Sequence, residues 1–429
     1  MGLTSKLEKL VLKDSNAEPP GSSQSTRSAK DTDDIDELDT EGQSILMGII
    51  AQLRPGMDLT RITLPTFILE KKSMLERITN FFQIPDILLK ADKTEDDLER
   101  FVLVVAWYLA SWHIAPKAVK KPLNPVLGEI FNCYWDDLPD GNTAYYISEQ
   151  TSHHPPKSSY FYLMPESKIR VDGVLIPKSR FLGNSSAAIM EGVGRLTLGH
   201  HNEVYEMTQP NVYCRGILFG KLKTELGDHM YVKCEKTGFE ADVDFKVKGF
   251  ISGTYDAIEG VIRDSKTSED LYIISGKWNG VMEIKDVRTG SKRVLVDCAD
   301  TVALKPKARP ISEQEPHESR KLWKSTIDAL AERDHQTATQ EKSIVENEQR
   351  ELAKKRIEDG VEFHPKLFRP VSEKEIEIQD LQYIIYKKFN LEDEPQVLRE
   401  KVLEIAPILP GQNFDEKFEI PAFKKHEQD

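Results

Sequence analysis

The chain has 429 residues, 39% of them hydrophobic and 30% charged, with a formal net charge of -13. That charge excludes bulk nucleic-acid binding, which wants a basic footprint, so an anionic ligand must be met by a local basic cluster. The four cysteines, Cys133, Cys214, Cys234 and Cys298, are too few for a disulfide scaffold, show no C-x-x-C spacing, and fit a reducing cytosol.

At the N-terminus, Lys6, Glu8 and Lys9 interrupt any signal-peptide core, and Lys6 stands where a myristoylation motif wants Ser or Thr. Residues 14–43 are rich in Ser, Asp and Glu, with seven acids between Asp31 and Glu41. Such a segment cannot bury enough surface to fold, and residues 1–43 are expected to be disordered. Apolar residues return at Ile45, Leu46, Ile49, Ile50 and Leu53, a helical period ended by Pro55-Gly56 and followed by an extended stretch through Leu64-Pro65. The pattern predicts a small amphipathic element tethered ahead of a body.

From Ser73 to His113 the period is helical. The longest uncharged stretch, Phe101–Ala115, has 15 residues and includes Ser111 and His113. A spanning helix needs roughly 20 apolar residues, so this one reads as a buried helix and membrane contact as peripheral.

Beyond Val126 the period becomes two. Ala144–Ile147, Tyr160–Leu163, Ile169–Asp172 and Ala241–Phe245 read as strands, with turn signals at Asp140-Gly141, Asp172-Gly173, Thr237-Gly238 and Asn279-Gly280. Many such strands predict a large antiparallel sheet that closes on itself, because closure hides strand edges. After Ser312 helical patterns cover Glu318–Arg333 and Glu341–Asp359. A segment with Pro365, Pro370, Pro395, Pro407, Pro410 and Pro421 then wraps the body.

Three stretches carry chemistry. Lys121-Pro122-Leu123-Asn124-Pro125-Val126-Leu127-Gly128-Glu129 and Glu149-Gln150-Thr151-Ser152-His153-His154-Pro155-Pro156 set anion-binding and hydrogen-bonding side chains beside prolines that fix the backbone. On the helix after Glu341, Lys342, Glu346 and Arg350 fall at i, i+4 and i+8 on one face, a pattern that on an arbitrary helix is a solvated ion-pair stripe. Adjacent histidines on a strand point to opposite faces, so His153 and His154 make a poor metal pair, and His200-His201 reads as a plain turn. Gly216–Lys221 imitates a phosphate loop with one residue too few between its glycines, Asp242 and Asp244 read as a wet strand face, and there is no G-x-S-x-G elbow. No catalysis, metal or cofactor is expected.

The His-His-Pro-Pro run closely resembles the fingerprint of the oxysterol-binding-related lipid-transfer proteins. The Lys121–Glu129 run matches a second block of that family and the Lys342/Glu346/Arg350 line is similar to a third. The resemblance implies an α+β fold, an incomplete antiparallel β-barrel around a lipid tunnel. It assigns 44–65 to a lid with Ile49, Leu53 and Leu64, 66–120 to helices, 121–310 to the barrel and 311–429 to a C-terminal helical region. It places a phosphoinositide headgroup at Lys121, Asn124, His153, His154, Lys342, Glu346 and Arg350, and phosphatidylserine at Asn124, Ser179 and Lys121.

Within the family, Leu53–Leu59, Pro177–Ser186 and His364–Phe368 look most like the short fungal-type members that exchange phosphatidylserine for phosphatidylinositol 4-phosphate. That implies a cytoplasmic protein working at endoplasmic reticulum–plasma membrane contacts, with a membrane-anchored tether protein as a further partner. A sterol in place of phosphatidylserine, or lipid sensing without transport, are the alternatives. Physics supplies the reason for a tunnel: two acyl chains hold on the order of 30 methylenes, each costing about 0.8 kcal/mol to expose to water.

Overall fold

The computed structural model describes residues 66–114, 120–216, 223–249 and 253–414. The acidic segment and the expected lid, with Ile49, Leu53 and Leu64, lie outside the described residues.

Two short strands, β1 (Leu69–Ser73) and β2 (Lys121–Leu123), pair in parallel, so the region expected to be helical opens on a strand. The main sheet then runs through β3 (Ile130–Trp135), β4 (Ala144–His153), β5 (Pro156–Met164), β6 (Ile169–Phe181), β7 (Ser185–Leu198), β8 (Glu203–Met207), β9 (Asn211–Arg215) and β10 (Lys223–Cys234). It continues through β11 (Phe239–Lys246), β12 (Ala257–Asp264), β13 (Asp270–Lys277), β14 (Val281–Asp286) and β15 (Lys292–Asp297). These 13 strands lie almost in chain order, with β9 set against β7 and β10. Near-sequential antiparallel pairing follows from short connections between neighbouring strands.

The end strands β3 and β15 do not pair with each other, so the sheet does not close on itself as the strand pattern predicts, and it is an incomplete barrel. The outer edge of β3 is covered instead by the chain returning from β15. Tyr134 and Lys307 exchange backbone hydrogen bonds of 2.8 Å in both directions, and Ile130 N–H donates to the His317 carbonyl at 3.1 Å. Covering an edge in this way removes a row of open donors and acceptors.

Side-chain alternation explains the faces. On β11, Ala241, Val243 and Phe245 are buried while Asp242 and Asp244 are half-exposed. Strands β4 and β5 are apolar on both faces, as Tyr145-Tyr146-Ile147 and Tyr160-Phe161-Tyr162-Leu163 demand. One face packs aromatic residues such as Tyr162, stacked on Phe82 with ring centres 4.3 Å apart, beside the buried helix α2 (Asp97–Ser111). The other face meets Leu367, Phe368, Ile385, Leu398 and Val402 of the C-terminal wrap.

Helix α2 follows α1 (Pro85–Asp92) and starts at Asp96, whose carboxylate accepts the Glu99 N–H at 2.8 Å. It is buried from Arg100 to Ser111, as its uncharged stretch requires. Arg100 is the exception in charge. Its guanidinium pairs with buried Glu203 at 2.8 and 2.5 Å, and that pairing raises its pKa further. The turn at His200-His201 is structural, because His200 Nδ1 meets the Asp92 carboxylate at 3.0 Å and His201 Nε2 meets the Asp92 carbonyl at 2.6 Å.

Two expectations change. Asp172-Gly173 is no turn, since β6 runs straight through it; a Cβ at Gly173 would lie 2.1 Å from the Tyr160 ring, so the glycine makes room for that tyrosine. The last long helix begins before Glu341. After α3 (Lys324–Ala331), α4 spans His335–Asp359 because Asp334 accepts the Thr337 N–H at 3.0 Å, and it stops where Gly360 turns left-handed at φ +63°.

The wrap is held to the barrel by Glu149. Its buried carboxylate accepts the backbone N–H groups of Lys366 and Leu367, both at 2.7 Å. Glu149→Ala leaves one buried and one part-buried donor without an acceptor, each costing about 1–3 kcal/mol. We expect a loss of about 2–6 kcal/mol in urea unfolding, and a loss below about 1 kcal/mol would count against the clamp. Burial pushes the Glu149 pKa up to about 7, against those backbone donors. The folded state therefore holds this proton more tightly than the unfolded chain. Its contribution is fullest below the ordinary carboxylate pKa and is lost as the pH rises toward 7, so the gap between wild type and variant should narrow on that path.

Candidate functional site

Alternate connections of an antiparallel sheet emerge at the same end. The loop leading into β3, the β4–β5 turn at His154-Pro155 and the β6–β7 turn after Phe181 therefore share one rim, and the first two of the three sequence blocks lie there.

The first block is a rigid loop bolted down by Glu129. Gly128 adopts φ +77° and donates its N–H to the Gln150 carbonyl at 3.0 Å, while Gln150 N–H returns a bond to the Glu129 carbonyl at 2.9 Å. The fully buried Glu129 carboxylate accepts from Val126 N–H at 3.0 Å, from Ser319 Oγ at 2.6 Å and from Trp323 Nε1 at 3.0 Å. Burial raises its pKa against these donors. The loop is thereby fixed to the helices after the barrel. Lys121 and Asn124 stand exposed at its start.

The second block is the β4–β5 hairpin. Ser158 Oγ donates to Gln150 Oε1 at 2.6 Å, Gln150 Nε2 to the Ser152 carbonyl at 2.9 Å, and Ser152 Oγ to the Pro155 carbonyl at 2.7 Å. The His154-Pro155 peptide is cis. The two histidine rings do not point apart as strand alternation predicts; their centres are 4.6 Å apart at 70°. The hairpin closes at His153 and Pro156, so His154 belongs to the turn rather than to the strand. His153 is half-buried and His154 exposed. Burial first, and the neighbouring His154 next, push the His153 pKa down to about 4.

The third block lies on α4. Glu346 sits between its cations, pairing with Lys342 Nζ on one side and with Arg350 Nη2 at 3.6 Å on the other. Arg350 also donates to Asn347. The Lys342 side chain is 14% exposed and the Arg350 side chain 65%, so the lysine is held and the arginine reaches into solvent. This face of α4 lies against the hairpin, with Glu346 and Arg350 among the charges near the His153 ring.

One residue escapes the sequence reading. Gln349 Oε1 accepts the Leu127 N–H at 2.5 Å, and its Nε2 lies 2.6 Å from His153 Nε2. A single amide thus joins all three blocks. Its position three residues after Glu346 puts it on the same helical face, which is the signal that could have found it.

Ser179 lies on the part of β6 that extends past the end of β5. There it pairs only with Ala188 of β7, near the same rim, and its Oγ is buried without a hydrogen-bond partner among the described residues. Among the described residues no group of three or more His, Cys, Asp and Glu side chains is arranged to hold a metal.

Comparison with known proteins agrees with this fold. Residues 48–328 match the family model described as oxysterol-binding protein. The oxysterol-binding protein-like protein OBPa of Candida albicans is 76% identical over 432 residues, spanning 100% of both chains. Among solved structures, the Osh1 ORD domain in complex with cholesterol superposes with a TM-score of 0.67 at 24% identity, covering 83% of this chain and 88% of that one. The Osh3 ORD of Saccharomyces cerevisiae in complex with PI(4)P gives 0.61 at 20% identity, covering 86% and 96%. At those identities the two structures speak for the fold.

Proposed function

The chain belongs to the oxysterol-binding protein family, and from that premise we propose that it is a non-catalytic lipid carrier exchanging phosphatidylserine for phosphatidylinositol 4-phosphate between membranes. The observation that carries this reading is the rim itself, where Gln349 draws the His153 ring, the Leu127 backbone and the Lys342/Glu346/Arg350 face of α4 together. A phosphoinositide with one ring phosphate carries about three negative charges, and each phosphate favours Lys, Arg and imidazole donors. Lys121, Lys342 and Arg350 supply fixed charge, Asn124 and the two histidines supply hydrogen bonds, and Glu346 orients the cations beside it. Osh3 with PI(4)P shows that this fold can hold such a lipid.

The acyl chains belong inside the incomplete barrel, below the rim. Asn124, Ser179 and Lys121 would receive the serine headgroup, and the Ser179 Oγ, which has no partner among the described residues, supports that assignment. No helix among the described residues is long and apolar enough to cross a membrane, and this reading takes membrane contact as peripheral. The working place is the cytoplasmic side of endoplasmic reticulum–plasma membrane contacts, with a membrane-anchored tether as partner.

Native mass spectrometry of lipid that co-purifies with the protein names the cargo, and donor-to-acceptor vesicle transfer separates a carrier from a sensor. Binding without transfer overturns exchange. If residues 44–65 are the lid, Leu64→Asp puts a carboxylate against hydrocarbon, at a cost of several kcal/mol. Retention of both lipids should fall in that variant, and wild-type transfer rates would show that Leu64 does not face the cavity.

A further inference from the structure

The hydrogen bonds of Gln349 determine more than its position. The Leu127 N–H can only donate, so the amide oxygen must face it. That fixes the amide nitrogen toward His153 Nε2 at 2.6 Å. An amide nitrogen only donates, so this ring nitrogen carries no proton, and the proton of the neutral imidazole sits on Nδ1. Nδ1 is buried and has no hydrogen-bond partner among the described residues.

The geometry points to Gln349 as the positioning residue of the rim, one amide that holds loop, imidazole and helix at fixed spacing and selects the Nδ1–H tautomer of His153. This rests on the phosphoinositide reading for its functional consequence and on the structure alone for the tautomer. His153 then enters the site uncharged. Fixed positive charge falls to Lys121, Lys342 and Arg350, and the exposed His154 is the imidazole that an arriving phosphate reaches without displacing Gln349. Side chains of the wrong length break the link. Asn cannot span Leu127 and His153 together, whereas Glu keeps the bond to Leu127 but turns an oxygen toward Nε2, which must then carry a proton.

The test uses the full chain with histidines labelled in carbon-13 and nitrogen-15, without lipid, and reads each ring's tautomer by long-range proton–nitrogen correlation. Wild type should show His153 neutral with Nδ1 protonated at neutral pH. Gln349→Glu should protonate Nε2 and raise the pKa of His153 above that of wild type. The other groups facing the ring, His154, Glu346, Arg350 and the Pro125 carbonyl, are the same in both proteins.

In parallel, phosphatidylcholine vesicles doped with phosphatidylinositol 4-phosphate report extraction. Gln349→Ala and Gln349→Asn should lose about tenfold, the size expected for two net hydrogen bonds. An Nε2–H or charged His153 in wild type overturns the proposal, as does Gln349→Ala with ring and extraction both unchanged. If wild type extracts no lipid, the proposed function fails, and the ring signature still decides the positioning role.

Discussion

Replacing His153 and His154 together with Ala should bring phosphatidylinositol 4-phosphate extraction to background while the barrel stays folded. A hydrogen bond to a charged group contributes about 1.5–3 kcal/mol, so losing the His154 donor together with the His153 link to Gln349, about 1 kcal/mol more, predicts a weakening on the order of 10²- to 10³-fold. The hairpin itself survives for a stated reason. Its ladder is backbone pairing from Tyr145↔Leu163 to His153↔Pro156, and the Gln150, Ser152 and Ser158 side-chain bonds that shape its tip do not use either ring. Circular dichroism and the urea midpoint check the fold, and pelleting with doped vesicles checks extraction. Near-wild-type extraction by a folded double variant removes these histidines from the site.

The same variant has a pH signature. His153 is held at about 4 in the folded protein, below the ordinary histidine value, so the unfolded chain takes up a proton first as the pH falls. Wild type therefore loses stability as the pH drops from the ordinary histidine pKa toward 4, and the double variant should lose less.

Much of the architecture was legible because it rests on periods. Alternation in Ala241–Phe245 gave a half-buried strand, and the uncharged run Phe101–Ala115 gave a buried helix that ends at Ser111. Where spacing misled, a tertiary contact decided. Gly173 looks like a turn glycine until Tyr160 is seen to need its space, and no local pattern encodes a ring arriving from the neighbouring strand. The early start of α4 was readable from Asp334 and Thr337 but was hidden by the charge pattern that begins at Lys342. Of the site, the three blocks could be named from sequence because their residue types are unusual beside proline. Their convergence could not, because it depends on one glutamine on a helix full of polar residues reaching a backbone N–H encoded more than two hundred positions earlier.

The second lipid should be phosphatidylserine rather than a sterol. A serine headgroup brings an ammonium, a carboxylate and a phosphate, and so needs several partners, which Asn124, Lys121, Ser179 and nearby backbone N–H groups can offer. A sterol has one hydroxyl. The rim is polar and cationic well beyond what one hydroxyl requires, and Ser179 already holds a buried oxygen with no partner among the described residues. Osh1 with cholesterol shows that the fold also accepts a sterol, so the outcome turns on side chains.

If both phospholipids use one barrel, each excludes the other, and a phosphoinositide gradient can drive phosphatidylserine uphill by mass action. Vesicles carrying fluorescent reporters for each lipid should show phosphatidylserine accumulating in the acceptor only while phosphatidylinositol 4-phosphate flows back. Ergosterol or cholesterol offered as rival should move at background rate. Fast sterol transfer with no phosphatidylserine movement would overturn the cargo and leave family membership standing, because that membership rests on residues 48–328 and not on what the barrel holds.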